Sequence, residues 1–98
     1  MIDAGTIHLA DVGQETRRLV LVVSNQRFHR SSGRVFVCPR LTIEGDLDEL
    51  FPWWIDSDEG VFALDQIASI PVSRLLEQRG ALTRIGGARM RRAIAAIT

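Results

Sequence analysis

The 98-residue chain is 46% hydrophobic and 24% charged, with a formal net charge of zero, and such a balance excludes a disordered or fibrous polypeptide and points to one soluble domain. No apolar run approaches the roughly 20 residues of a membrane span, and the N-terminus has no basic-then-apolar leader, so the expected location is cytoplasmic with no membrane partner. The single Cys38 allows no internal disulfide and has no companion at metal-ligand spacing, so the expected metal and cofactor content is none.

In chain order, Thr6–Val12 alternates and is bounded by Gly5 and Gly13, which predicts a first strand. Leu19–Ser24 is continuously apolar until its last residue, as in a strand covered on both faces. The polar stretch Asn25–Gly33 is too long for a tight turn and reads as a surface loop. Arg34–Cys38 is the next strand, with Pro39 expected to stop it. The acidic stretch Asp46–Glu49 reads as a loop or a single helical turn. Phe51–Ile55 and Val61–Leu64 form an aromatic hairpin around Asp56–Gly60, and Ile67–Ile70 is a last short strand closed by Pro71. A short helix at about 73–79 follows from Ser73 as N-cap and Gly80 as stop, and a terminal helix at about 87–97 carries Met90, Ala93, Ile94 and Ile97 on one face. The predicted architecture is a single domain over 1–98, mainly β, with strands over about 5–71 curled into a small barrel and helical packing on one side.

The charge is sorted along the chain although its sum is zero. Arg17, Arg18, Arg27, Arg30, Arg34 and Arg40 fall in a stretch without an acid, whereas residues 44–65 hold acids and no base, and residues 74–92 are again arginine-rich. There is no lysine. A guanidinium grips phosphate in two places, so the first block fits a phosphodiester ligand. A neutral total argues against the many phosphate contacts of direct duplex DNA binding. Antiparallel pairing of the strands after Arg18 and before Thr42 brings these two side chains to one end of the sheet.

Several pieces resemble the MazF/PemK toxins of bacterial type II toxin–antitoxin systems. These are Gly5-Thr6-Ile7-His8-Leu9-Ala10-Asp11-Val12, the run from Arg18 to Asn25, Val37-Cys38-Pro39 with Thr42, Ala63-Leu64-Asp65-Gln66-Ile67, and Arg74-Leu75 with Gly80-Ala81-Leu82. The resemblance implies an SH3-like barrel and a homodimeric, metal-independent endoribonuclease, an mRNA interferase. Such an enzyme cuts single-stranded RNA to 2′,3′-cyclic phosphate and 5′-hydroxyl ends and is held inactive by the disordered tail of a cognate antitoxin. Its catalytic arginine and threonine fall on Arg18 and Thr42. Arg17, Asn25, His29 and Gln66 are the candidate RNA-binding residues. The chain departs from the pattern at Leu19, where proline is usual, at Arg40-Leu41, where a smaller polar pair is common, and after Asp11, where the loop is shorter.

A second resemblance, carried by Ser32–Val37, Glu49–Pro52 and Ala68–Ser73, is to the CcdB toxins, which share the fold but poison DNA gyrase without cleaving. That family relies on a C-terminal tail with tryptophan, whereas residues 96–98 here are Ala-Ile-Thr, so the nuclease reading is the expected one.

Overall fold

The computed structural model describes residues 2–13, 17–41 and 51–98. Among these residues, seven strands and two α-helices follow one another as β1 (Thr6–Asp11), β2 (Arg17–Val22), α1 (Gln26–Ser32), β3 (Arg34–Leu41), β4 (Trp54–Ser57), β5 (Gly60–Ala63), β6 (Ala68–Pro71), β7 (Leu75–Ala81) and α2 (Arg84–Ile97). The strands form one antiparallel sheet in the order β4-β5-β3-β2-β1-β7, with β6 also paired to β3, and the sheet curls into a half-barrel.

The unbroken apolar run of β2 is explained by the two cores it serves. Leu21 packs with Ile7, Cys38, Ile55, Phe62, Leu64, Met90 and Ala93 beneath α2, while Val20 and Val22 pack with Ala10, Val35 and Val37 on the opposite face. Truncating a fully buried aromatic such as Phe62 costs about 3–5 kcal/mol, so this first core holds α2 and the β4–β5 hairpin to the sheet. Burial pushes the Cys38 thiol up to about 12, with nearby Asp65 adding to the effect, so the thiol is inert as the sequence suggests.

Four expectations are corrected, the last of them at Pro39. Asn25–Gly33 is not a loop: Asn25 caps α1 by accepting the Phe28 N–H at 2.9 Å, and Gly33 ends it at φ 68°, a left-handed conformation that suits glycine. Residues 73–79 are not a helix. After a single 3-10 turn at Val72–Arg74 the chain becomes β7, the edge strand on β1, because pairing with an open strand edge overrides the helix propensity of Leu75, Leu76, Glu77 and Gln78. The terminal helix starts earlier than about 87: Thr83 accepts the Gly86 N–H at 3.1 Å, so the glycines lie inside the first turn.

Pro39 does not end β3 either. The β2–β3 ladder runs from Val22↔Val37 to Val20↔Pro39, after which β3 continues against β5 through Arg40↔Phe62 and Leu41↔Val61. A proline has no N–H to give, so the ladder to β2 ends where the donor is missing. Beyond that point the two strands part, and the space between them is the main concavity near the charged end of β2.

Candidate nucleic-acid interface

The parted ends of β2 and β3 line a pocket of about 360 Å³. Its walls are Arg17, Arg18 and Leu19 from β2, Pro39, Arg40 and Leu41 from β3, Leu9 from β1, and Gln66 from the 3-10 turn Leu64–Gln66. Among the described residues its polar lining is therefore Arg17, Arg18, Arg40 and Gln66, with no carboxylate. The register explains how they meet: Arg17 and Arg18 stand opposite Asp11 and Ala10 at the end of the β1–β2 ladder, and Arg40 follows directly on the last β2–β3 pair.

Two described acids close to these arginines in the fold, Asp11 and Glu59, are engaged elsewhere. Asp11, paired in register with Arg17, accepts the Gly13 N–H at 3.0 Å and the Arg74 guanidinium at 3.4 Å. Glu59 offers Arg40 its backbone carbonyl, which accepts from Nη1 at 3.3 Å, while its carboxylate lies against Gly80. Among the described residues, no side chain hydrogen-bonds or ion-pairs with Arg17 or Arg18. Three converging cations repel one another, and a polyanion between them relieves that repulsion. The donor count and fork geometry suit phosphate oxygens, and the Gln66 amide can both give and accept a hydrogen bond at a base edge.

The sequence candidates divide. Arg17, Arg18 and Gln66 line the pocket together, and Arg40 joins them, a member of the same arginine block that the sequence does not single out as a site residue. Thr42 lies outside the described residues, directly after Leu41 in the chain. Asn25 and His29 are not brought to the pocket. They sit past the opposite end of β2, roughly 20 Å along the strand from Arg18 at about 3.3 Å per residue. Asn25 is the cap of α1. His29 is buried, its Nδ1–H donating to the Ile2 carbonyl at 3.1 Å, while its Nε2 accepts the Ser24 hydroxyl at 2.6 Å. Each of these polar groups already has a partner inside the chain.

Two other arginines are likewise held within the chain. Arg34 holds Ser69 through Nε at 2.7 Å and Nη2 at 3.0 Å, tying β3 to β6, and Arg79 pairs with Glu77 at 3.2 Å. His8, at a position where the resembling family has tryptophan, is buried and bonded through Nε2 to Thr6 Oγ1 at 3.0 Å. Of the aromatic pair, Trp53 packs on the α2 core and stacks on Phe51 at 5.1 Å, whereas Trp54 meets Phe51 edge-on at 4.8 Å.

A curled antiparallel half-barrel with a C-terminal helix and a cationic cleft at one end defines a small toxin-like domain. The model of the PemK-like, MazF-like toxins of type II toxin–antitoxin systems matches residues 3–98, and the chain belongs to that family. Among curated protein sequences none matches it. An endoribonuclease from a mycobacterial species, solved with its cognate antitoxin, superposes with a TM-score of 0.81 at 22% identity, covering 98% of this chain and 93% of that one. The MazF of a Deinococcus radiodurans MazE–MazF complex gives 0.78 at 22% identity over 98% and 93%. The Mycobacterium tuberculosis toxin MazF-mt6 gives 0.74 at 23% identity over 93% of each chain. At these identities the likeness establishes the fold.

Proposed function

We propose that this protein is a toxin that cleaves single-stranded RNA in the pocket between β2 and β3, by a reaction that needs no metal ion. The observation that carries the reading is the convergence of Arg17, Arg18 and Arg40 on one pocket, with no carboxylate among the described residues that line it. The family and the endoribonuclease neighbours support it from the side of the fold.

In the reaction, the ribose 2′-hydroxyl next to the scissile phosphate is the nucleophile. Its oxygen forms a bond to phosphorus and loses its proton, the bond to the 5′-oxygen breaks, and that oxygen leaves protonated. The products are a 2′,3′-cyclic phosphate and a 5′-hydroxyl. Charge accumulates on the nonbridging oxygens in the transition state, and Arg18 meets it with a planar fork of donors. Thr42, assigned by the resemblance, supplies a hydroxyl to the same phosphate. Arg17 anchors the backbone and Gln66 reads a base edge. The working form is a homodimer, restrained by the tail of a cognate antitoxin, in keeping with the antitoxin complexes among its structural neighbours.

The test is incubation of purified protein with end-labelled single-stranded RNA in EDTA, beside Arg18→Ala. Cleavage to cyclic-phosphate ends that is lost in the variant supports the reading; an intact substrate with the wild-type protein overturns it. Gyrase–DNA breaks accumulating in place of RNA products would select the partner-poison alternative.

A further inference from the structure

Arg40 differs from the other two pocket arginines in how it is held. It stands on β3 beyond the residue where the ladder to β2 ends, so it faces Arg17 and Arg18 from the other wall. Its stem lies over the β4–β5 turn: a methyl group at Gly60 would come within 2.6 Å of Arg40 Cδ and 3.0 Å of Cγ. Gly60 has φ +128°, a conformation that side-chain-bearing residues rarely adopt, so the turn is both sharp and bare at this point. The guanidinium is then fixed by a single bond from Nη1 to the Glu59 carbonyl at 3.3 Å. The Glu59 carboxylate, which could have neutralised it, is turned away against Gly80. The result is an exposed but oriented cation whose remaining donors are open.

Resting on the RNA-cleaving reading above, we propose that Arg40 grips a second backbone phosphate, the one adjacent to the phosphate held by Arg18, and that Gly60 is its positioning residue. The Arg18 fork takes the two nonbridging oxygens of one phosphate, and Arg40, on a strand that diverges from β2, serves the next one. The site is thus built for a strand with at least two consecutive phosphodiesters, and mononucleotides and dinucleoside monophosphates are poor ligands for it. The pre-set stem lowers the conformational entropy lost when the side chain closes on its phosphate.

The inference is tested by binding, apart from cleavage. The probe is a short single strand of 2′-O-methyl RNA, which has no free 2′-hydroxyl and cannot be cut, titrated at several salt concentrations. For single strands the slope of log K against log salt changes by about 0.7 for each phosphate that the protein ceases to neutralise, so Arg40→Ala should make the slope shallower by about that amount. Its affinity at low salt should fall about ten- to a hundredfold, as for the loss of a hydrogen bond to a charged group. Arg27→Ala, which removes the same charge from the exposed face of α1, should leave both unchanged. Gly60→Ala should weaken binding in the wild-type background yet add nothing in the Arg40→Ala background, a non-additivity that a general loss of stability would not produce. Because Gly60→Ala strains the turn, Arg40→Lys serves beside it: the charge is kept and the fork is lost, so the salt slope should stay while affinity falls. If Arg18→Ala weakens binding and Arg40→Ala does not, the second-phosphate role is overturned and the RNA reading survives. If the wild-type protein does not bind the strand, both are overturned together.

Discussion

The two ends of the β2–β3 pair both carry polar side chains and do opposite things with them. Past Val22, Ser24 and His29 close a local circuit: the Phe36 N–H donates to Ser24 Oγ at 2.9 Å, Ser24 donates to His29 Nε2, and His29 Nδ1–H donates to Ile2. Phe28 stacks on Phe36 at 5.2 Å over the same corner. At the other end Arg17, Arg18 and Arg40 line an open cleft in which nothing among the described residues answers Arg17 or Arg18. A polar cluster whose donors and acceptors are consumed within the chain fixes the fold, whereas one whose donors converge on space is shaped for a ligand.

The largest effect expected from breaking this contrast is at the open end. Arg18→Ala removes transition-state charge stabilisation and should lower RNA cleavage about 10²–10³-fold, as for the loss of one preorganised donor to an oxyanion. Its thermal midpoint should scarcely move, since the side chain is exposed and makes no bond to a described residue. A variant that unfolds in step with its loss of activity would mean that Arg18 is structural.

The converse holds at the closed end. Ser24→Ala deletes the acceptor for Phe36 N–H and the donor to buried His29, and leaving those groups unmatched costs about 1–3 kcal/mol. For a domain of this size that is several degrees in the unfolding midpoint. Cleavage by the folded fraction should be unchanged; a selective loss of activity without a loss of stability would show that this corner takes part in RNA binding after all.

How far the sequence revealed this contrast depends on the reach of each signal. The barrel strands are legible because apolar runs such as Leu19–Val22 and Val61–Leu64 are bounded by turn residues close at hand. Helix α1 is legible only through its caps, Asn25 and Gly33, since its polar, arginine-rich middle has no long apolar face. Strand β7 is hidden because its side chains are mostly exposed and its reason for existing is the distant edge of β1. Arg18 and Gln66 are found through family resemblance. Arg40 is one of six arginines in its block, and what sets it apart depends on β3 running past Pro39, a tertiary fact. His29 looks like an RNA-binding residue for as long as its partners, Ser24 and Ile2, cannot be seen.

The smallest expected effect concerns the other buried histidine and the pH dependence of stability. Thr6 Oγ1 donates to the Asp3 carbonyl at 2.7 Å, so toward His8 it offers a lone pair, and His8 is the neutral tautomer donating from Nε2. Burial, with the positive amino terminus adding to it, holds the His8 pKa below its ordinary value. The unfolded chain therefore binds the extra proton first. Stability from this group is fully present above the unfolded value of about 6.5 and is lost as pH falls through the lower folded value. His8→Gln keeps an N–H for Thr6 but cannot titrate, so its unfolding midpoint should fall less steeply than the wild type's between about pH 7 and about pH 5. His8 lies on β1 and does not line the cleft, so RNA affinity of the folded protein should not follow the His8 transition. If it does, the β1 histidine and the β2–β3 cleft are one coupled unit, and the division between a self-satisfied interior and an open cationic end fails.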